Sequence, residues 1–324
     1  MSCHASDRTL AVLGAAAAAL LAAAPAAALG ACEVELLVLG TSQDGGTPQF
    51  GRWQDPAWEQ PSAARLSLGL VDHRRGARWL FEATPDVRRQ GYDLARLAGP
   101  QASDAPILDG VFLTHAHIGH YTGLMFLGHE SLGARGVPVH TLPRFADFLR
   151  DHGPWSQLVA YENIRLEPMT AGGIQALGPR LNVTAFAVPH RQEYAEVAGF
   201  RIEGPEAAAL FIPDIDSWEQ WDAWGVRIED VLAEVDIAFL DATFFANGEI
   251  PGRDMSGFPH PFVSHSMARF APLPKRERAK VHFIHFNHTN PLRDPTSPPA
   301  EQVRAAGFHV AEQGDRHCLG RPHR

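Results

Sequence analysis

Three histidines follow one short apolar stretch of the chain. The segment Val111-Phe-Leu-Thr-His115-Ala-His117-Ile-Gly119-His120 predicts a buried strand that ends in imidazoles. Two imidazoles at positions i and i+2 of a strand end, with a third at i+5 on the next helical turn, can converge on a metal ion without large backbone excursions. Because neutral imidazole is the commonest metal ligand among side chains, we expect His115, His117 and His120 to bind metal.

Short apolar runs separated by Gly, Pro and Asp surround this segment from residue 33 onward. We predict strands over 34–39, 66–71, 78–81, 110–113, 183–188, 209–212, 237–240 and 281–286, and helices over 85–98, 120–130, 143–152, 217–234 and 299–306. Strands and helices therefore alternate irregularly along the chain. This organisation favours one large α/β domain over two separate domains.

The composition of the chain excludes several classes of protein. The chain has 324 residues, of which 45% are hydrophobic and 20% charged, and its formal net charge is −9. It can bury a large core, and it is neither disordered, collagen-like nor a coiled coil. The negative charge argues against nucleic acid as a partner, because duplex binding needs Lys and Arg to neutralise phosphates. Cys3, Cys32 and Cys318 are too few for a disulfide framework or a Cys-rich zinc site.

The histidine segment resembles the HxHxDH motif of the metallo-β-lactamase superfamily. The resemblance implies an α/β fold of the αββα type, a four-layer sandwich with one or two metals at a common edge of its two sheets. The segment departs from the motif at Gly119, where the family has the Asp that ligates the second metal. We therefore expect one tightly held metal and a weakened second site. Gly119→Asp should strengthen that second site, provided that the new side chain fits beside His120.

The same resemblance implies further ligands in a fixed order along the chain. It points to His190, to Asp214 as the carboxylate between the metals, and to a histidine near the carboxyl end, where the sequence offers His285 and His288. Side chains alternate along a strand, and this places His285 and Asn287 on one face. We favour His285 as the ligand and place His288, just past the strand, beside the metal shell or the substrate.

Several stretches are similar to the pyrroloquinoline quinone biosynthesis protein B group, in the right order across essentially the whole chain after residue 33. They are Val38-Leu-Gly-Thr-Ser-Gln-Asp-Gly-Gly-Thr-Pro-Gln49, Phe81-Glu-Ala-Thr-Pro-Asp86, Ile212-Pro-Asp-Ile-Asp216, Leu240-Asp-Ala-Thr243 and His285-Phe-Asn-His-Thr-Asn-Pro291. Two departures set this chain apart. The group has lost much of the histidine motif, and it carries a cysteine cluster where this chain reads Phe50-Gly-Arg-Trp53.

The implied ligands define an expected chemistry. A metal held by His115, His117 and His190 keeps an open position for water, as catalytic zinc does, and can lower the pKa of that water to about 7. Asp214 is the predicted catalytic carboxylate, which would bridge the metals and orient the nucleophile, and His288 is the second predicted catalytic residue. Zinc is the expected cofactor, with iron or manganese as alternatives, because imidazole and carboxylate ligands suit them as well.

Asp241 and His260 are further candidates for positions near the metal. Asp241 is predicted to accept a hydrogen bond from a ligand imidazole and so to fix its orientation. His260 lies in a stretch interrupted by Pro, where lining of the substrate cleft and an ordinary surface position are both open.

Two functions from different classes fit this sequence. The first is a secreted metal-dependent hydrolase in which metal-activated water attacks an ester, phosphodiester or lactam-like bond. The alternative is an oxidoreductase or pathway protein of quinone-cofactor biosynthesis that uses iron. Both act on a small-molecule substrate, whose identity the sequence does not give because specificity resides in loops.

The amino-terminal residues have the pattern of a targeting segment. Arg8 precedes a run of Ala and Leu over 9–29, and the small residues Gly30 and Ala31 follow it. The pattern predicts a signal peptide over 1–31 and a periplasmic or secreted protein, and the resemblance implies a metallo-β-lactamase-like domain over 33–324. An alternative is a lipoprotein signal, because Leu29-Gly30-Ala31-Cys32 resembles a lipoprotein box. In that case alone, a lipid on Cys32 would attach the protein to a membrane.

Overall fold

The computed structural model describes residues 32–60, 62–100 and 106–321. The predicted signal peptide lies outside the described residues. From Cys32 to Arg324 the chain forms one compact unit.

None of the helices in the described part of the chain has both the length and the apolar character needed to cross a bilayer.

The described residues form two mixed sheets of seven strands each. Numbered along the chain, the strands are β1 (Val34–Gly40), β2 (Ser67–Asp72), β3 (Ala77–Phe81), β4 (Gly110–Phe112), β5 (Val137–Thr141), β6 (Ile164–Pro168), β7 (Ile174–Gly178), β8 (Leu181–Ala187), β9 (Ala198–Glu203), β10 (Ala208–Ile212), β11 (Ile237–Asp241), β12 (Val281–Ile284), β13 (His309–Val310) and β14 (Arg316–Gly320). The first sheet has the order β14-β1-β2-β3-β4-β5-β6. The second has the order β13-β12-β11-β10-β9-β8-β7.

Helices connect these strands. They are α1 (Val87–Ala98), α2 (Ile118–Tyr121), α3 (Pro143–Asp151), α4 (Trp155–Ala160), α5 (Trp218–Ala223), α6 (Ile228–Ala233), α7 (Val263–Phe270), α8 (Lys275–Arg278) and α9 (Pro298–Ala305), with short 3-10 helices over Pro56–Glu59, Thr122–Leu127 and Pro291–Arg293.

Three apolar clusters define the layers of the fold. One lies between the two sheets, where Phe81 of β3 packs against Phe200 of β9 with ring centroids 5.7 Å apart. A second lies under α1 and α3 and includes Leu94 and Phe145. A third lies under α5, α7 and α9 on the outer face of the second sheet. Helices therefore cover both outer faces, and the predicted αββα four-layer sandwich is confirmed.

The burial of strand β1 explains why its apolar run could be recognised in the sequence. Leu36 and Val38 belong to the cluster between the sheets, whereas Leu37 and Leu39 belong to the cluster under the helices. All seven residues of the strand are buried. A strand covered on both faces is a nearly continuous apolar run, and such a run can be recognised from composition alone.

Two of the predicted helices are shorter than expected. The predicted helix over 217–234 is divided into α5 and α6, because Gly225 between them has a φ of 83°, which an α-helix does not accommodate. The predicted helix over 120–130 begins as α2 and continues as a 3-10 helix. There the backbone N–H of Gly123 donates to the carbonyl of Ala83, and this bond draws the turn against the end of β3.

A disulfide joins Cys32, just before β1, to Cys318 in β14, with their Cα atoms 5.7 Å apart. The two strands are antiparallel neighbours in the first sheet. The pairing connects residues 286 positions apart in sequence, so nothing in their spacing indicated it.

Candidate metal centre

The predicted ligands lie just beyond the carboxyl ends of strands from both sheets. His115 follows β4, and His190, Asp214 and His285 follow β8, β10 and β12. In the second sheet β10, β11 and β12 run parallel, so their carboxyl ends meet at one edge. A hydrogen bond from the Ala198 N–H to the Thr114 carbonyl ties this edge to the histidine segment of the first sheet.

The first donor set consists of His115, His117 and His190. One nitrogen from each lies within 4.8 Å of the others, and Nε2 of His115 is 2.8 Å from Nδ1 of His117. The opposite nitrogens of two of these rings have protein partners: Nδ1 of His115 lies 2.8 Å from Oγ1 of Thr114, and Nδ1 of His190 lies 2.9 Å from Oδ1 of Asp216. These partners orient the rings so that a nitrogen from each faces the others.

The carboxylate of Asp214 lies between this set and two more imidazoles. Its oxygens are 3.7 Å from Nε2 of His190 and 4.0 Å from Nε2 of His115. On the other side, Oδ2 is 3.3 Å from Nε2 of His120 and 3.5 Å from Nε2 of His285. The structure thus brings all six predicted metal ligands, including Asp214, into one cluster.

The second donor set contains His120, His285 and Asp44, an acidic residue that no motif in the sequence indicated. Asp44, in the loop after β1, places Oδ1 3.0 Å from Nε2 of His120. One atom each of Asp44, His120 and His285 lies within 4.8 Å of the others. Nδ1 of His285 lies 2.9 Å from Oγ1 of Thr243, and the residue has a φ of 71°, a strained backbone that turns its ring off the end of β12.

Burial and charge divide the protonation states of the cluster. Burial lowers the pKa of His115 well below its ordinary value and also lowers that of His285, so both rings are neutral and keep a free lone pair. Burial opposes ionisation of Asp44 and Asp214, yet the neighbouring imidazoles outweigh it and lower both pKa values. For His120 burial is outweighed by the nearby carboxylates, Asp214 first, and its pKa lies well above the ordinary value.

The residues present fit a metal ion. The Nε2 atoms of His190 and His285 are buried and have no hydrogen-bond partner among the described residues, and Oδ1 of Asp44 and Oδ2 of Asp214 form no well-aligned hydrogen bond there although both lie within ion-pair distance of Nε2 of His120. Buried polar atoms without partners are costly, and the carboxylates of Asp44, Asp214 and Asp241 outnumber the two imidazoles, His120 and His260, whose pKa values are raised. A divalent cation would satisfy these donors and balance the excess negative charge.

A buried His–Asp pair completes this edge and was only partly anticipated. His260 is buried, and its Nδ1 lies 2.8 Å from Oδ2 of Asp241 and 3.8 Å from Oδ1 of Asp214. Asp241 is predicted to hold a ligand imidazole, and in the structure it holds His260, which itself converges with His190 and Asp214 as a possible ligand. For His260 the substrate-cleft alternative is closer than a surface position. A histidine between two prolines carries no periodic signal that could have decided this from sequence.

The remaining predicted catalytic residue, His288, lies beside a cavity. Its ring contacts Arg52, whose Nε donates to Nε2 at 3.2 Å, and Arg293 donates to its backbone carbonyl. Together with Trp53 and Asp55 these residues line a cavity of about 650 Å³. His288 belongs to none of the convergent donor groups found among the described residues. The sequence-based preference for His285 as the ligand agrees with this placement.

The expectation that Gly119→Asp would improve the second site is wrong. A Cβ atom built on Gly119 would lie 2.1 Å from Oδ1 of Asp44 and 2.6 Å from its Cα atom. The space of a side chain at this position is therefore filled by Asp44. The condition that the new side chain should fit beside His120 is not met.

Two mixed sheets between helices, with imidazoles and a central carboxylate at their common edge, define a metallo-β-lactamase-type protein. The model of the beta-lactamase superfamily domain matches residues 77–286, and the chain belongs to this superfamily. Among curated proteins it is similar to coenzyme PQQ synthesis protein B of Gluconobacter oxydans, with 28% identity over 89% of this chain and 100% of that protein. The corresponding protein of Xanthomonas oryzae pv. oryzae is 26% identical over 87% of this chain and 98% of its own length.

Solved structures support the fold. Zn²⁺-bound PqqB from Methylobacterium extorquens superposes with a TM-score of 0.72 at 20% identity, covering 87% of this chain and 99% of that chain. A diphosphatase from the PhnP family superposes with a TM-score of 0.59, also at 20% identity, covering 88% of this chain and 96% of that chain. At this level of identity the superpositions show a shared architecture.

Proposed function

We propose that this protein is a metal-dependent enzyme of the PqqB type that converts a small anionic molecule. The observation that carries the proposal is the pair of imidazole sets that share Asp214, in a chain that aligns with coenzyme PQQ synthesis proteins over nearly their whole length. A retained and buried donor cluster at the family's metal edge supports catalysis over a purely structural role.

The metal would be held by His115, His117 and His190 on one side of Asp214. A bound divalent metal supplies Lewis-acid activation of water or of a substrate oxygen. The chain's own part is to hold the donors in place, since Thr114 and Asp216 fix two of the rings. His260 keeps a ring proton on Nδ1 by donating to Asp241, beside the carboxylate of Asp214.

The cavity beside His288 supports an anionic substrate. Two guanidinium groups, Arg52 and Arg293, and the carboxylate of Asp55 line it, which leaves a net positive charge. Burial lowers the pKa of Arg293, which means that its charge is incompletely solvated and that an anion would stabilise it. Trp53 offers an aromatic face on which a planar ring can stack.

A second candidate function is hydrolysis of an ester, phosphodiester or lactam-like bond. The observation that favours it is the three-imidazole set, since three protein nitrogens and an open position are typical of catalytic zinc. The two candidates differ chiefly in whether generic substrates are hydrolysed, because imidazoles combined with carboxylates also suit non-haem iron while a PqqB structure that superposes on this chain holds Zn²⁺.

Metal content measured together with hydrolytic activity tests the two candidates. The protein is purified without added metal, its metals are measured by elemental analysis, and generic ester and phosphodiester substrates are assayed. For the PqqB-type function we expect retained metal and no hydrolysis. Retained metal with hydrolysis that Asp214→Asn abolishes would support the second candidate instead, and a metal-free protein of full activity would exclude both.

Binding of coenzyme PQQ, an anionic probe, tests the substrate class by calorimetry. We expect Arg52→Gln and Arg293→Gln each to weaken binding by about tenfold, the worth of one charge-assisted hydrogen bond. Arg88→Gln is the matched control, because Arg88 lies outside the cavity, over the ring of Phe126. Equal affinity in all three variants would remove the cavity from the proposal.

A further inference from the structure

We propose that Asp44 supplies the carboxylate that the histidine segment lacks at Gly119, so that this chain has a complete second metal site made of Asp44, His120 and His285. The inference rests on the proposed metal centre and deepens it. It relocates a ligand from the histidine segment to a loop 75 positions earlier in the sequence.

A side chain at position 119 and the carboxylate of Asp44 would occupy the same space. A Cβ atom on Gly119 would stand 2.1 Å from Oδ1 of Asp44, a distance that non-bonded atoms do not reach. The Asp44 carboxylate therefore lies where the side chain of residue 119 would begin, beside His120. A carboxylate is present at this point of the site although it comes from another part of the chain.

Position 119 requires glycine because the loop that carries Asp44 leaves no space for a side chain. Gly119 has an ordinary backbone conformation within α2, so its lack of a side chain is not explained by a positive φ. The Cα atom of Asp44 would lie 2.6 Å from the added Cβ atom, so even alanine collides with the backbone of the loop. Gly119 and Asp44 thus form a matched pair, in which the absence of one side chain admits the other.

The loop after β1 holds Asp44 in place. The N–H of Gln43 donates to the carbonyl of Phe286 at 2.8 Å, directly after His285. The carbonyl of Asp44 accepts from Nε of Arg65 at 2.7 Å, and Arg65 is itself paired with Asp86 at 3.1 Å. The backbone on both sides of the carboxylate is therefore fixed before any metal binds, which is the usual requirement for a strong ligand site.

The donor set of Asp44, His120 and His285 also indicates which metal it would bind. Two imidazoles and one carboxylate form the donor set of non-haem iron(II) sites, whereas the first donor set has three imidazoles. Asp214 faces both sets. The centre would then be asymmetric, with iron(II) favoured by the set that contains Asp44.

Metal stoichiometry of the intact protein tests the proposal without an activity assay. Metal-free protein is titrated with iron(II) under anaerobic conditions in competition with a chelator, and bound metal is counted. We expect two equivalents for the wild type. Asp44→Asn keeps the shape of the side chain and should weaken the second equivalent by more than about 100-fold, since changes in groups around a metal's ligands alone cost about 10–100-fold. Glu59→Gln removes an exposed carboxylate close by in sequence and should bind as the wild type does.

A second variant tests the matched pair without removing any donor atom. Gly119→Ala should also cost the second equivalent, because its methyl group displaces Asp44. Gly91→Ala in α1, where an added Cβ atom has open space, should bind two equivalents. Circular dichroism checks that each variant is folded, and if Gly119→Ala does not fold, Asp44→Asn decides.

Two results would overturn the inference: a wild type that binds a single equivalent, or an Asp44→Asn variant that binds two with wild-type affinity. Neither would by itself remove the proposed function, which needs only the first donor set and Asp214. Conversely, Asp44-dependent binding of a second metal in a protein with no catalytic activity would sustain this inference while the proposed function failed.

Discussion

At the scale of single residues, three deeply buried imidazoles of the cluster have one ring nitrogen held by the protein and the other directed toward Asp214. Thr114 holds His115, Asp216 holds His190, and Thr243 holds His285. Because the tautomer and the ring direction are both fixed in this way, little entropy remains to be lost when a metal binds. The cluster is therefore organised for a ligand that it can bind tightly.

The first prediction is that His115→Ala combined with His117→Ala abolishes tight binding of one metal. Only His190 and Asp214 would remain of that donor set, and two ligands do not complete a coordination shell. Elemental analysis after dialysis against a chelator measures the loss. The matched double variant His129→Ala with His265→Ala, at two exposed positions, should keep the wild-type content. A full complement of metal in the first variant would contradict the assignment.

The site was predictable where its residues carry a local pattern. His115, His117 and His120 are recognisable because three imidazoles follow one apolar strand, and the structure brings them together with His190 as expected. Asp44 was not predictable, because its role depends on how a loop after β1 crosses the histidine segment. No spacing within the sequence records that crossing.

The second prediction concerns His140, a buried histidine in β5 that is remote in sequence from the metal donors. Burial, and to a smaller extent the charge of Arg165, lowers its pKa from 6.5 to about 4. The unfolded chain therefore binds a proton below pH 6.5 that the folded protein does not bind until about pH 4. The contribution of a neutral His140 is fully present above pH 6.5 and is lost as the pH falls to 4, at a cost on the order of 3 kcal/mol.

His140→Gln, which cannot take up this proton, should thus lose less stability on acidification. The free energy of unfolding in denaturant, measured for wild type and variant at pH 7 and at pH 4.5, gives the comparison. The variant should be less stable than the wild type at pH 7, and the gap should narrow at pH 4.5. A gap of constant size would show that the folded protein takes up the proton at His140 as readily as the unfolded chain.

At the scale of elements, most interior strands were predicted from their apolar runs, whereas the four edge strands and the interior strands β5 and β9 were not. Strands β1, β2, β10 and β11 are rich in apolar residues and lie close to their predicted bounds. Strand β6 at the edge of the first sheet alternates weakly, with one buried residue in five, and was missed. A strand of this kind is defined by its pairing with β5 and not by its own composition.

The third prediction tests the connection between β1 and β14. Cys318→Ser removes the disulfide that closes almost the whole compact unit, and it should lower the free energy of unfolding by about 2–4 kcal/mol through greater freedom of the unfolded chain. Denaturant unfolding under oxidising conditions measures the change. Wild type in reductant should match the variant. An oxidised wild type no more stable than Cys318→Ser would show that the bridge does not contribute.

At the scale of the whole molecule, the layered fold explains why two sheets contribute to one centre. Each sheet places loops at the same edge, so that β4 is followed by one group of imidazoles and β8, β10 and β12 are followed by His190, Asp214 and His285. The α/β class was predictable from the alternation of strand and helix patterns, and the four-layer arrangement was implied by the resemblance of the histidine segment to the metallo-β-lactamase motif. The disulfide between Cys32 and Cys318, which joins the residue before β1 to β14, was not predictable from the sequence. It also bears on the compartment in which the protein is found.

The last prediction is that the mature protein lies outside the cytoplasm and begins between about Ala26 and Cys32. We propose this from the Ala- and Leu-rich run that ends in Gly30 and Ala31, and from the disulfide, because such bonds persist in the periplasm and in secreted proteins but are rare in the cytoplasm. The sulfur of Cys32 is bonded to Cys318, so it is not free to carry a lipid, and cleavage must leave Cys32 on the mature chain. Cell fractionation with amino-terminal sequencing and mass spectrometry, without reduction, decides the matter. Periplasmic or secreted protein whose first residues retain Cys32 in the bridge is the expected result. Soluble cytoplasmic protein with Met1 or Ser2 intact would contradict it, and an acylated Cys32 would replace it with the lipoprotein alternative.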